Sequence, residues 1–207
     1  MADEIFVHPR LAALYDPLEP DRGDLAPYVR LAEEFGARRV LDIGCGTGVF
    51  ALLLADRGIE VVGVDPARAS LDVARAKPGG DRVRWIRGDA AALPPLRVDL
   101  VTMTANVAQE IVAPDDWQAT LRGAHEALRP GGHLVFETRD PARRAWEAWN
   151  RERSHRVTTI PRQGARPHRS SAGPRPASLT APARPASAPQ LASSRRAWDD
   201  SDPGSAW

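Results

Sequence analysis

Only one cysteine, Cys45, occurs in 207 residues, so no intrachain disulfide can form and the chain reads as one built for a reducing compartment. Lysine is as scarce. Of 28 basic residues Lys77 alone is lysine, and the arginine, alanine and proline bias points to a GC-rich gene rather than to a function. Net charge is nearly missing as well: 28 basic against 27 acidic residues leave +1, which argues against nucleic acid or an anionic membrane as partner and leaves a small molecule as the default. There is no uninterrupted apolar run of about 18 residues, the length a membrane helix needs. The start, MADEIFVHPR, has no signal-peptide h-region, so we expect an unprocessed, cytoplasmic protein.

What is present alternates. Residues 23–36 carry Leu25, Tyr28, Val29, Leu31, Ala32 and Phe35 at helical spacing and end at Gly36. Strand patterns follow in ARRVLDIG, IEVVGVD, RVRWIRGD, VDLVTMT and GHLVFET. Helical stretches separate them in TGVFALLLADRG, in PARASLDVARAK and over roughly 114–128, the last stopped before Pro130-Gly131-Gly132. Strands such as VLDIG and DLVTM are apolar on both faces, as strands are when helices cover both sides of a parallel sheet. These features predict an α/β fold with a Rossmann-like, doubly wound, mostly parallel sheet over residues 1–161. Such a sheet binds its ligand at the carboxyl ends of its strands.

The stretch VLDIGCGTGVF after the first strand places Gly44, Gly46 and Gly48 at alternate positions. A dinucleotide fingerprint would need a small residue where Val49 stands, so that a helix N-terminus could approach a pyrophosphate. A nicotinamide-dependent oxidoreductase, or a non-catalytic protein that keeps the cleft, are the alternatives to the resemblance that follows.

Through five stretches in order, covering roughly residues 10–155, the chain resembles the class I S-adenosylmethionine-dependent methyltransferases. The resemblance implies S-adenosyl-L-methionine as cofactor. In VLDIGCGTG, Asp42 would hold the amino end of the methionine moiety, while the backbone of Gly44, Cys45, Gly46 and Gly48 skirts the cofactor. Asp65, with Pro66 beside it, would accept hydrogen bonds from the ribose hydroxyls. In Gly88-Asp89-Ala90, Asp89 would receive the adenine amine and the adjacent backbone, at Ala90, would donate to the ring. Thr104 and Asn106, in MTANVAQEI, would face the methionine end and the acceptor. The fifth stretch, LRPGGHLVFET, closes the parallel sheet, with its glycines serving the turn.

No metal is implied: TMTANVA offers no carboxylate cluster, and no Cys/His spacing suits zinc. No catalytic residue is assigned, because a sulfonium-bound methyl is already activated and the protein has mainly to position a nucleophile. Glu110, His133, Glu137 and Asp140 are candidate bases by sequence position. The acceptor is expected to be a small molecule. Tyr15 and Tyr28 are candidates to lie near the cofactor.

Two features depart from the family. The stretch PARRAWEAWNRE predicts a helix that packs Trp146 and Trp149 into the core. Beyond it RVTTIP, at 156–161, begins like a strand but has no apolar alternating run after it to pair with, so the usual C-terminal antiparallel strand pair is expected to be missing. Residues 162–207 are mostly Ala, Arg, Pro and Ser, with Leu179 and Leu191 as the only large aliphatics, and predict a disordered tail. An out-of-frame reading of GC-rich DNA would have the same composition. The sequence therefore suggests a marginally stable domain.

Overall fold

A computed structural model describes residues 4–148, 155–159 and 178–182. Five strands form the sheet: β1 (Arg39–Ile43), β2 (Glu60–Asp65), β3 (Arg84–Arg87), β4 (Val98–Met103) and β5 (Leu128–Phe136), the central β1, β2 and β4 being rich in buried Val, Leu and Ile. Their order is β3-β2-β1-β4-β5, and every pairing is parallel. The chain runs outward from β1 to β3, then returns to add β4 on the other side of β1. Between β1 and β4 lies the switch point, where loops part and a ligand cleft opens in such sheets.

Among the described residues the α-helices are α1 (Glu4–Val7), α2 (Pro9–Leu18), α3 (Ala26–Glu34), α4 (Val49–Ala55), α5 (Arg68–Ala76), α6 (Val107–Glu110) and α7 (Pro114–Ala127). The two faces of the sheet carry separate cores. Val40, Val61 and Leu100 pack with Tyr28, Val29, Phe50, Leu54 and Ala55 from α3 and α4. The alternate residues Leu41, Ile43, Val62, Val64, Val101 and Met103 pack with Ala124 and Ala127 of α7. Both faces are thus buried, which accounts for strands apolar at every position. Each buried Leu or Val removes enough apolar surface from water to contribute about 1.5–3 kcal/mol.

The amino edge of the sheet is tied by one carboxylate. Asp99 Oδ2 accepts the backbone N–H groups of Arg38 and Arg39, both at 2.8 Å, and Asp99 Oδ1 takes Arg129 Nε at 2.5 Å. Burial alone would raise its pKa, but these donors outweigh it and hold Asp99 down at about 2. The start of β1, β4 and β5 therefore meet at a single side chain.

Several expectations change. Residues 141–148 are not an α-helix but two 3-10 turns, Pro141–Arg143 and Ala145–Ala148. Arg144 between them has φ +46°, a left-handed conformation that an α-helix cannot pass through. Trp146 is accordingly 50% exposed rather than core, and Trp149 lies outside the described residues. The fifth strand starts earlier than GHLVFET and runs through Pro130-Gly131-Gly132, with a break in its register to β4 between Val98 and Leu100. Gly131, at φ +76°, takes up that irregularity.

The stretch at 156–161 does find a partner. β6 (His155–Thr159) pairs antiparallel with β7 (Ser178–Pro182), because backbone hydrogen bonding does not require an apolar face. The two strands form a sheet of their own and add nothing to the five-stranded one. The rest of the expected tail lies outside the described residues.

Candidate functional site

Every residue proposed from sequence for the cofactor falls at the carboxyl end of β1, β2, β3 or β4, so the sheet order sets them side by side. The turn after β1 is the centre. The N–H groups of Gly44 and Cys45 both donate to the Val64 carbonyl, at 2.8 and 3.1 Å, which folds the turn back over β2. Gly44, Gly46 and Gly48 all have φ between +53° and +79°, the left-handed region that residues with a Cβ avoid. Their surroundings differ. A Cβ on Gly44 would lie 2.5 Å from Val107 Cγ2, and one on Gly48 would collide with the Trp85 ring, so these two glycines serve packing. A Cβ on Gly46 would meet nothing within 4 Å. Bare backbone at Gly46 therefore borders open space.

Asp42 is buried at the end of β1. Thr102 Oγ1 donates to its Oδ1 at 3.0 Å, while Oδ2 has no hydrogen-bond partner. Burial pushes its carboxyl up to about 7; the Thr102 hydrogen bond opposes that rise, and the nearby Asp65 charge adds to it. A buried carboxylate oxygen without a donor is costly unless a cation or donor arrives. The ammonium of a methionine moiety is such a group, so the donor set fits the cofactor that the sequence suggests.

Asp65 ends β2 and is also buried. Its Oδ2 accepts the Gly46 N–H and its Oδ1 the Ala67 N–H, each at 2.8 Å, and burial raises its pKa in spite of these bonds. Asp65 thus caps the turn into α5 and braces the glycine turn together. Each carboxylate oxygen retains a lone pair for an outside donor. Pro66 beside it is exposed. Asp89 is exposed at the end of β3, with Oδ1 accepting the Ala91 N–H at 3.0 Å, and Ala90 is buried. Cys45 is buried, and burial drives its thiol pKa up, so it carries no thiolate chemistry.

After β4 the backbone is strained: Ala105 and Asn106 take φ +55° and +73° in succession without being glycine. Two contacts hold that turn. Glu137 Oε1, just past β5, accepts the Asn106 N–H at 3.0 Å, and the Val107 N–H donates to the Thr104 carbonyl at 3.3 Å. Of the four candidate bases only Glu137 reaches the site. Glu110 is exposed on α6, Asp140 caps the turn at Ala142, and His133 pairs with Leu100 in mid-strand with its ring stacked 4.0 Å from Phe35. Tyr28 belongs to the core, edge-on to Phe50. Its buried hydroxyl has no hydrogen-bond partner, and burial with the nearby Glu137 charge raises its pKa strongly, so it stays neutral.

Three side chains that the sequence did not single out as site residues shape the turn. Trp85 covers Gly48 and Gly63 and is fixed by its Nε1–H donating to the Gly80 carbonyl at 2.7 Å. Asp16 and Lys77 bind Thr47. The last of these was visible only as an isolated lysine in an arginine-rich chain. Among the described residues no three His, Cys, Asp or Glu side chains gather as a metal-binding group, and no helix is long and apolar enough to cross a membrane.

Comparison with known proteins follows these features. The family described as a methyltransferase domain matches residues 40–132, which span β1 to the start of β5. The cypemycin N-terminal methyltransferase of a Streptomyces species is 37% identical over 126 residues, 60% of this chain and 51% of that protein. The ubiquinone biosynthesis O-methyltransferase of Proteus mirabilis is 32% identical over 120 residues, 56% of this chain and 47% of that protein. The chain thus spans about half the length of the curated relatives it matches. Among solved structures, the CcbJ methyltransferase of Streptomyces caelestis is 30% identical, with a TM-score of 0.56, covering 79% of this chain and 67% of that one.

Proposed function

Since the chain belongs to the class I S-adenosylmethionine-dependent methyltransferases, we propose that it transfers a methyl group to a small-molecule acceptor at the carboxyl edge of β1 and β4. The observation that carries this is the pairing of bare, open backbone at Gly46 with a buried, donor-less oxygen on Asp42 one turn away. S-adenosylmethionine, when bound, supplies a methyl on a positively charged sulfur, already poised to leave to a nucleophile.

The protein's own contribution is binding and alignment. Asp42 receives the ammonium of the methionine moiety through Oδ2, and Asp65 receives the ribose hydroxyls on the lone pairs left by Gly46 and Ala67. Asp89 and the Ala90 backbone take the adenine edge. The strained turn at Ala105-Asn106 borders the acceptor, and Glu137, which accepts the Asn106 N–H of that turn, is the carboxylate placed to meet it. Holding an acceptor in line and excluding water accounts for most of the rate such a site can provide. Supporting the small-molecule acceptor are relatives that include enzymes named for ubiquinone biosynthesis.

The test is calorimetric titration with S-adenosylhomocysteine and with NAD, followed by methyl transfer from labelled S-adenosylmethionine to pools of small amines, phenols and carboxylates. Saturable S-adenosylhomocysteine binding with label transfer to one pool is expected. Binding of NAD alone would overturn the proposal.

A further inference from the structure

The chain's single lysine sits where three segments meet. Lys77 caps the carboxyl end of α5, Asp16 lies on α2, and Thr47 stands between Gly46 and Gly48 in the turn after β1. Lys77 Nζ is 2.5 Å from Asp16 Oδ2 and donates to the Thr47 carbonyl at 2.7 Å. Thr47 Oγ1 donates to Asp16 Oδ1 at 2.6 Å. The three contacts close a triangle, so that neither α2 nor the turn can move without breaking a charge-assisted bond.

Burial gives the triangle weight. Thr47 is buried, and the side chains of Lys77 and Asp16 are only 21% and 28% exposed, unlike the solvent-facing pairs Arg68–Asp72 and Arg57–Glu33 elsewhere. The geometry also suits lysine. A compact ammonium can donate to a carboxylate and a carbonyl from one point, whereas a planar guanidinium spreads its donors over a rigid fork. Composition drives every other basic position to arginine, and here it does not.

Further attachments of the helix pair α1–α2 include contacts to α5 and within the pair. Ser70 Oγ donates to the Phe6 carbonyl at 2.9 Å, and Phe6 stacks at a tilt on Tyr15 with ring centroids 5.4 Å apart. The triangle joins the N-terminal helices to the same turn that leaves open space at Gly46.

We propose that Lys77 and Asp16 are positioning residues that couple docking of α2 to the shape of the cofactor turn, so that cofactor binding tightens α2 and docked α2 raises cofactor affinity. The coupling rests on the cofactor proposed above and is reciprocal: the factor by which a docked α2 tightens binding equals the factor by which binding favours docking.

The experiment uses the full chain, with S-adenosylhomocysteine titrated calorimetrically into wild type, Lys77→Met, Asp16→Asn and the double variant. Amide hydrogen exchange over residues 9–18 is followed with and without the same ligand. Each single substitution is expected to weaken binding about tenfold, as a coupling of ordinary size would. The double variant is expected to be no weaker than the worse single one, because both remove one interaction. Ligand should slow exchange in α2 of wild type and leave it unchanged in the variants, a difference that simple loss of stability would not produce.

If wild type fails to bind S-adenosylhomocysteine, the cofactor proposal falls and the coupling with it. If wild type binds and the variants bind equally well, or the two losses add in full, or ligand leaves α2 exchange unchanged in wild type, the coupling alone is refuted. Should Lys77→Met fail to fold, Asp16→Asn, which keeps the shape of the carboxylate, decides the question by the same measurements.

Discussion

At the scale of single residues, the glycine turn divides its work between packing and ligand. Gly44→Ala would drive a Cβ to 2.5 Å from Val107 and force φ +69° on an alanine. It is expected to lower stability by about 1–3 kcal/mol, measurable as a lower urea midpoint. Gly46→Ala meets no neighbour, so its stability cost should stay near the roughly 1–2 kcal/mol of a left-handed alanine. Its affinity for S-adenosylhomocysteine should nevertheless fall more than about tenfold, the cost of a misplaced methyl in a fitted surface. Equal affinity for Gly46→Ala and wild type would remove the turn from the site. Asp42 gives a pH test. Its pKa, raised to about 7, means that the free protein near neutrality holds a proton there part of the time. A bound ammonium favours the ionised form, so binding should release that proton, and affinity should fall as pH drops below about 7. Calorimetry in buffers of different ionisation enthalpy would detect the release, and Asp42→Asn should abolish it.

At the scale of elements, the alternation of strands and helices was legible because both-face apolar strands and glycine-ended helices are local signals, and that alternation implied a doubly wound, mostly parallel sheet; the order β3-β2-β1-β4-β5 is seen only in the structure. That Asp42, Asp65 and Asp89 lie at or near the carboxyl ends of β1, β2 and β3 was legible for the same reason, whereas the cofactor roles expected of them came from the family resemblance. What sequence could not give were contacts between distant segments. Trp85 reads as an ordinary strand aromatic, yet it needs Gly48 and Gly63 beneath it. Trp146 looked like core because helical spacing implies burial, and the left-handed Arg144 removed the helix on which that inference depended. Ser178–Pro182 gave no signal because SLTAP lacks the apolar alternation that marks a strand, and the backbone pairing it makes with His155–Thr159 does not require it. Asp99 was likewise silent, since its three donors come from residues 38, 39 and 129. Asp99→Asn is expected to cost about 1–2 kcal/mol, less than the full shift implies because Arg129 is half exposed. The sign follows from the depressed pKa. The contribution is present above the ordinary value of 3.8 and is lost as pH falls toward about 2, so the wild-type advantage over Asp99→Asn should vanish in acid unfolding over that window.

At the scale of the whole molecule, four of the five parallel strands, β1 to β4, carry the residues proposed for the cofactor, while β6 and β7 form a separate sheet. In this sheet both β3 and β5 are edges, and edges without cover limit stability. We expect the ligand-free chain to unfold at a modest temperature and S-adenosylhomocysteine to raise that temperature. Ligand at 100 times its dissociation constant adds about 2.7 kcal/mol, several degrees for a domain of this size. A transition unmoved by saturating ligand would count against both the site and the family's chemistry in this chain.

The two ends of the sheet also carry opposite acid–base debts. Asp99 at the amino edge strengthens the fold as pH rises from about 2 to 3.8, and Asp42 at the carboxyl edge weakens it as pH rises from 3.8 to about 7. Asp65, whose pKa burial also raises, adds to the second slope. A ligand cation held by Asp42 removes that carboxyl's part of the slope, so occupancy of the cleft should be readable as a smaller loss of stability between pH 3.8 and about 7, without any assay of catalysis.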